Sequence, residues 1–189
     1  MKLDEYLKKE FSLDKTVINT IVNSGKRLVF QKGDLIIPAH HYSRYVYFVE
    51  KGLTRIFYYK EDKLVTHYFF LEGEFLGNSD SLLFNKESNY GIEALEPETV
   101  VFRVAYEKIM ELAENNLAVN KIVHQILFNM LASYSSRLNS LQFESAQDRY
   151  KQLLANRPQI ILRAALGDIA SYLGISQQTL SVIRSQIKE

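Results

Sequence analysis

The chain has 189 residues, 47% hydrophobic and 24% charged, with a formal net charge of +1. That is enough apolar material for one large or two small cores, and too much for wholesale disorder. Cysteine is absent, which excludes disulfides, thiolate zinc sites, cysteine-ligated iron–sulfur clusters and cysteine redox sensing.

The N-terminus, Met1-Lys-Leu-Asp-Glu-Tyr-Leu-Lys-Lys-Glu10, is charged and amphipathic and lacks the apolar core of a signal peptide. No run reaches the roughly 18 apolar residues of a membrane span. A soluble, cytoplasmic protein with no membrane partner is expected. Leu3, Tyr6, Leu7 and Phe11, then Val17, Ile18, Ile21 and Val22, recur at helix spacing. Ser12 and Asp14 are caps for the second segment, and Ser24-Gly25 stops it.

From Arg27 to Arg103 the pattern changes to short runs rich in aromatic and β-branched residues, separated by turn residues. The runs are Leu28–Phe30, Leu35–Ile37, Tyr45–Val49, Leu53–Tyr59, Leu64–Leu71, Tyr90–Ala94 and Thr99–Phe102. Strands at this spacing predict an antiparallel sandwich or barrel, with Gly33, Gly52, Gly73 and Gly77 at its turns. The stretch from the Glu72-Gly73-Glu74 turn to Tyr90 reads as a loop.

Tyr106 to Phe143 is helical again, with a break near Asn115-Asn116. Its second part, roughly 25 residues at 1.5 Å each, spans about 37 Å. Leu127, Leu131, Tyr134, Leu138 and Leu141 form a heptad-like seam, and Val119, Val123, Ile126 and Met130 form a second stripe. One stripe suits the strand domain and the other a partner helix. Gln147–Leu154 continues as helix until Asn156-Arg157-Pro158 ends it, and a short link follows.

Leu166 to Arg184 reads as a helix-turn-helix. Ile169, Leu173, Ile175, Leu180 and Ile183 are spaced to share a small core, and Ala170 allows close approach. Gly174 sits where the turn wants positive φ, and Ser176 is an N-cap for the second helix. That helix exposes Ser176, Gln177, Gln178, Thr179, Ser181 and Arg184, groups suited to base edges and phosphates of double-stranded DNA. Residues 141–189 hold six basic side chains (Arg149, Lys151, Arg157, Arg163, Arg184, Lys188) against four acidic ones (Glu144, Asp148, Asp168, Glu189), a net +2. The sign suits nucleic acid, but the magnitude is small.

The order of helix, glycine-marked strands, long helix and helix-turn-helix resembles the Crp/Fnr family of bacterial transcription regulators over nearly the whole chain. In the strand region the likeness rests on Phe30-Gln-Lys-Gly-Asp34, Tyr47-Phe-Val-Glu-Lys-Gly52, Phe69-Phe-Leu-Glu-Gly-Glu-Phe-Leu-Gly77 and Glu93-Ala-Leu-Glu-Pro-Glu-Thr-Val100. Further on it rests on Ser145-Ala-Gln-Asp-Arg-Tyr-Lys-Gln-Leu-Leu154 and Ile169-Ala-Ser-Tyr-Leu-Gly-Ile175. The resemblance implies an α+β fold in three parts. Residues 1–115 would be N-terminal helices plus a cyclic-nucleotide-binding-type jelly-roll barrel, 116–143 a dimerisation helix, and 144–189 the DNA-binding domain. It also implies a homodimer and RNA polymerase as a partner.

Two departures from the family pattern shape the expected function. Family members that bind cyclic nucleotides carry Glu after the second cassette glycine and Arg before a Ser/Thr–Ala pair. Here Gly77 is followed by Asn78, and the Arg place falls at Ser88-Asn89-Tyr90, with no Arg or Lys between Glu87 and Pro97. Lys86 lacks the planar fork that grips phosphate. The candidate effector pocket is Gly73, Glu74, Gly77, Asn78, Ser88 and Asn89, with the Gly73–Gly77 turn offering backbone N–H groups to an anion. Its effector is unknown, and cyclic AMP is not expected. Gln178 and Val182 stand where the family often has Glu and Arg, so the operator should differ. The sequence ends at Glu189 without a full wing hairpin.

No catalytic set is evident. Gly73-x-x-x-Gly77 lacks the Lys-Ser/Thr of a phosphate-binding loop, and His40, His41, His67 and His124 lack metal-ligand spacing. Neither an enzyme nor a metal or other cofactor is expected. The rival reading is a small-molecule-binding barrel protein whose C-terminus no longer binds DNA.

Overall fold

The computed structural model describes residues 1–187; Lys188 and Glu189, counted in the charge balance above, lie outside them. Two helices, α1 (Leu3–Phe11) and α2 (Lys15–Asn23), come first. Asp14 caps α2 by accepting from the Thr16 amide. Eight strands follow: β1 (Gly25–Phe30), β2 (Leu35–Ile37), β3 (Tyr45–Lys51), β4 (Thr54–Lys60), β5 (Lys63–Phe70), β6 (Phe75–Gly77), β7 (Gly91–Ala94) and β8 (Thr99–Ala105). A short helix α3 (Ser79–Phe84) lies between β6 and β7.

The strands form two antiparallel sheets of four, in the orders β1-β8-β3-β6 and β2-β7-β4-β5. Alternation along β3 shows how they pack. Tyr47 and Val49 point between the sheets with Ile36, Ile56, Phe70, Leu76, Ile92 and Val101. Phe48 points outward with Phe102 and Val104, where α1, α2 and the helices after the barrel cover it. Glu50 ties down the N-terminus: its carboxylate accepts from the Leu3 amide at 2.9 Å and from Arg27 at 2.7 Å.

The barrel leads into α4 (Tyr106–Asn115) and α5 (Leu117–Phe143). The break falls at Asn116, whose side chain accepts from the Ala118 and Val119 amides and caps α5. The C-terminal region holds α6 (Ala146–Asn156), α7 (Pro158–Arg163), α8 (Leu166–Leu173) and α9 (Gln177–Gln186). Among the described residues no helix is long and apolar enough to cross a membrane.

Three local readings of the sequence are corrected. Phe75–Gly77 is a strand, held by pairing with Val46–Phe48. Residues 79–84 are a helix where a loop was expected. Pro158 ends α6 but opens α7, because proline at the first helical position gives up only an amide that has no intrahelical partner. Ile160 and Ile161 of α7 are buried in the C-terminal core.

Candidate DNA-binding surface and its seat on the barrel

The helix-turn-helix forms as its pattern requires. Ile169, Ala170, Leu173, Leu180 and Ile183 are buried, and Ile175 packs against them. Gly174 has φ of +69° and closes α8 by donating to Ala170 and Ser171, while the Ile175 amide also reaches the Ala170 carbonyl. A side chain there would strain the left-handed backbone. Ser176 Oγ accepts from the Thr179 amide at 3.0 Å and caps α9.

All six expected DNA-facing residues, Ser176, Gln177, Gln178, Thr179, Ser181 and Arg184, are exposed. They are not equivalent. Ser176 and Thr179 are bonded to each other within the cap. The Gln177 amide lies against Gly167, where an added Cβ would come within 2.6 Å of it. With Leu180 and Ile183 turned inward, the outermost line of α9 is Gln178, Ser181, Val182 and Ser185, at i, i+3, i+4 and i+7. Val182 and Ser185 therefore belong to the surface, and helical geometry alone could have found them.

The other helix of the pair is seated on the barrel. α8 packs against β5. Phe69 and Tyr172 rings meet at 5.4 Å, and the Thr66 amide donates to Ser171 Oγ at 2.9 Å. Three ion-pair groups surround this contact. Arg55 on β4 donates to Asp168 at 2.5 Å and to Glu93 at 2.6 Å. Arg157 donates to both Glu74 oxygens, at 2.9 and 2.7 Å, and to the Phe69 carbonyl. Arg163 forks between Glu72 (2.9 and 2.8 Å) and Glu96 (2.8 and 2.6 Å).

These pairs shift protonation in both directions. Burial pushes the Glu72 carboxyl up, but bonds from Arg163 and backbone amides outweigh it and hold the group at about 2. The Arg163 bond likewise lowers Glu96. Glu74 is raised, because its burial outweighs the pull of Arg157 and the Leu71 amide. The same contacts revise the charge argument. Arg157 and Arg163 serve barrel carboxylates, and Arg149 donates to the Leu173 and Glu144 carbonyls. The net +2 of the C-terminal region is therefore not gathered on a DNA-facing patch.

The six residues of the candidate effector pocket do not line one cavity. Gly73 and Glu74 border one cavity, beside Tyr68 and Tyr134, while Gly77 borders another. Asn78, Ser88 and Asn89 line neither. Asn78 is buried and donates to the Tyr90 carbonyl. Ser88 is buried and donates to Asp80 at 2.8 Å; Asn89 is exposed. The first two amides of the Gly73–Gly77 turn are engaged within the barrel, and the rest belong to the edge strand β6. Gly73 N–H donates to Val49, Glu74 N–H to Leu71, and Phe75–Gly77 lie in the β6 ladder. Sequence reasoning also missed Asp80, a carboxylate at the position of a phosphate cassette. Beside it His67, Tyr58 and Tyr90 cluster with Tyr134 of α5, with ring separations of 5.1–6.3 Å. Burial, then the charge of Arg137, lowers the His67 pKa.

Along α5, Leu127, Leu131, Leu138 and Leu141 of the expected seam are 45–64% exposed. Tyr134 departs from them. Its ring lies 6.3 Å from Tyr68 and 6.2 Å from His67, and burial raises its hydroxyl pKa. The second stripe faces the barrel domain, with Val119 buried and Val123 packed beside it. Phe128 and Phe143 add exposed apolar area that the seam reading omitted.

The chain is thus a β-barrel joined by one long helix to a helix-turn-helix. Residues 27–116 match the cyclic nucleotide-binding domain family. Among solved structures, FixK2 of Bradyrhizobium japonicum is similar at 20% identity, with 86% of this chain and 84% of that one covered and a TM-score of 0.76. The Crp/Fnr-family transcriptional regulator TTHA1359 of Thermus thermophilus also has 20% identity, coverage of 86% and 85%, and a TM-score of 0.68. The catabolite activator protein of the same species has 20% identity, coverage of 96% and 86%, and a TM-score of 0.59. No curated protein sequence matches the chain. Over most of its length the chain has the fold of these solved regulators, as the sequence resemblance implied.

Proposed function

We propose that the protein is a sequence-specific, DNA-binding transcription regulator of the Crp/Fnr type, acting in the cytoplasm as a homodimer. The carrying observation is the outward line of α9: Gln178, Ser181, Val182 and Ser185 stand clear of every internal contact that holds the helix pair. Gln178 suits adenine N6 and N7, and Val182 a thymine methyl. Arg184, further along, suits phosphate. The exposed leucines of α5 are the dimer seam, which would set two recognition helices on half-sites about 34 Å apart. Residues 1–115, 116–143 and 144–189 act as sensor, dimer helix and reader, with RNA polymerase as the downstream partner. No catalytic role is proposed.

The sensor's effector is not cyclic AMP or cyclic GMP in this reading. The cassette lacks its arginine, holds the Asp80 carboxylate beside Ser88, and engages the Gly73 and Glu74 amides internally. A phosphate there would meet a negative charge with no fork to hold it. Calorimetric titration with cyclic AMP should give no saturable heat.

One observation favours a second reading, a barrel protein that no longer binds DNA: arginines 157 and 163 are engaged by the barrel. Fluorescence anisotropy against a randomised duplex library at two salt concentrations separates the two. Selected duplexes should bind more tightly than random ones, and binding should weaken as salt rises. If no salt-dependent binding appears, the regulator reading falls and the second one stands. Gln178→Ala should erode the preference for selected over random duplex while leaving non-specific affinity intact; an equal loss of both would remove Gln178 as a base reader.

A further inference from the structure

A cavity of about 380 Å³ opens where the long helix meets the C-terminal helices. Ser133, Ser136, Arg137 and Ser140 line it from α5, Arg149, Gln152 and Asn156 from α6, and Tyr172 from α8. Arg157, already paired with Glu74, stands at its barrel side. The polar part of the lining is thus guanidinium, hydroxyl and amide groups, and Tyr68, Ala132, Leu153 and Leu173 make up an apolar wall.

The arginines differ in how their charge is met. Arg55, Arg157 and Arg163 each face a carboxylate. Among the described residues, Arg137 and Arg149 are in no ion pair. Arg137 donates to the Tyr172 carbonyl and stacks on the Tyr172 ring, 3.9 Å from its centroid. Arg149 donates to the carbonyls of Leu173 and Glu144, at 3.0 and 2.6 Å. The nearby Glu144 carboxylate is held by neutral groups instead, Ser140 and Gln152. Two half-buried cations therefore stand close together, bonded to carbonyl dipoles and in no ion pair with the neighbouring Glu144 carboxylate. Their proximity is felt: burial, and then Arg149, depress the Arg137 pKa, against the pull of Tyr172. Each guanidinium keeps unused N–H groups, since a guanidinium has five.

We propose that this cavity is a binding site for a small oxyanion, a phosphate ester or carboxylate carried on a polar body. Its charged end would sit between Arg137 and Arg149, in charge-assisted hydrogen bonds, with the serine hydroxyls and the Gln152 and Asn156 amides around the rest. The site is separate from the barrel interior and from the cassette segment. Arg137 and Arg149 hold the last carbonyls of α8, so an occupant would bear on α5, α6 and the helix-turn-helix at once. That regulatory consequence rests on the proposed function; the binding itself does not.

The competing account is that both arginines only cap the C-terminal end of α8, where cations are favourable. Titration calorimetry of the full chain decides, in phosphate-free buffer of low ionic strength, with inorganic phosphate in one arm and succinate in the other. Saturable binding of at least one is expected, and the arm that binds identifies the oxyanion source. Arg149→Gln should weaken binding about tenfold or more, the scale of a charge-assisted hydrogen bond. Ser136→Glu, which would put a carboxylate into the cavity, should abolish binding while raising the thermal midpoint, so a loss there is not a failure to fold. No saturable binding in either arm overturns the proposal, as does binding that both variants leave unchanged.

Discussion

The two outer faces of the barrel are covered in different ways. On the β1-β8-β3-β6 sheet, Phe48, Phe102 and Val104 meet Leu3, Leu7, Ile18 and Ile21 in a mainly apolar contact, with Arg27, Glu50 and Asp4 at one end of it. On the β2-β7-β4-β5 sheet, Leu53 and Phe69 meet the C-terminal helices, but Arg55, Arg157 and Arg163 ring that contact with carboxylates. Separating the first face exposes mainly hydrocarbon and returns few ions to water. Separating the second returns partly exposed ions to water, which offsets the loss of their attraction. On this argument the first face is a foundation and the second a seat that can be left, as the proposed function would require.

The difference can be broken from either side. Phe48→Ala removes a fully buried ring and should cost about 3–5 kcal/mol of global stability, measured by urea unfolding. A loss confined to the C-terminal region would refute the foundation. Arg163→Ala leaves Glu72 and Glu96 facing each other without their shared cation. It should cost less, about 2 kcal/mol after allowance for solvent at this half-exposed site. Hydrogen exchange should place that loss in α7 and α8 while the barrel strands stay protected.

Acid offers a subtler break. Glu72 is held at about 2 and Glu96 is also depressed, so both contribute stability that is whole above their unfolded value of 4.5. It is lost as pH falls from 4.5 toward 2. Glu74, raised by burial, runs the other way and takes up its proton without loss. Exchange in α7 should therefore rise over that interval before the β3 and β8 amides follow; simultaneous opening would show that the seat is no weaker than the foundation. The smallest effect is expected at the exposed tip of α9. Val182→Gln should leave the unfolding midpoint within about 0.5 kcal/mol, yet change which duplexes are selected in the anisotropy assay. An unchanged selection would remove Val182 from the reading surface.

Much of the fold was legible before any contact was known. Alternating aromatic and β-branched runs marked seven of the eight strands, the caps Asp14 and Ser176 marked helix starts, and Asn115-Asn116 marked the break before α5. The pieces that escaped are those that pairing or packing holds in place. Phe75–Gly77 is only three residues long and becomes a strand through β3. α7 begins at a proline that otherwise reads as a stop.

At the candidate sites the division is sharper. The sequence by itself determined the helix-turn-helix, because its apolar spacing, glycine turn and cap all act within 19 residues, Leu166 to Arg184. It also determined which α9 side chains face out, since period and burial follow from the same spacing. Only the tertiary structure decided how the charges are used. Asp168 finds Arg55 across 113 positions and Arg163 finds Glu72 across 91. Arg137 and Arg149 find carbonyls rather than carboxylates. A charge carries no periodicity that names its partner. The same arginines that looked like a faint basic bias toward DNA became, once folded, the fastening of the reader to the barrel and the lining of a polar cavity beside it.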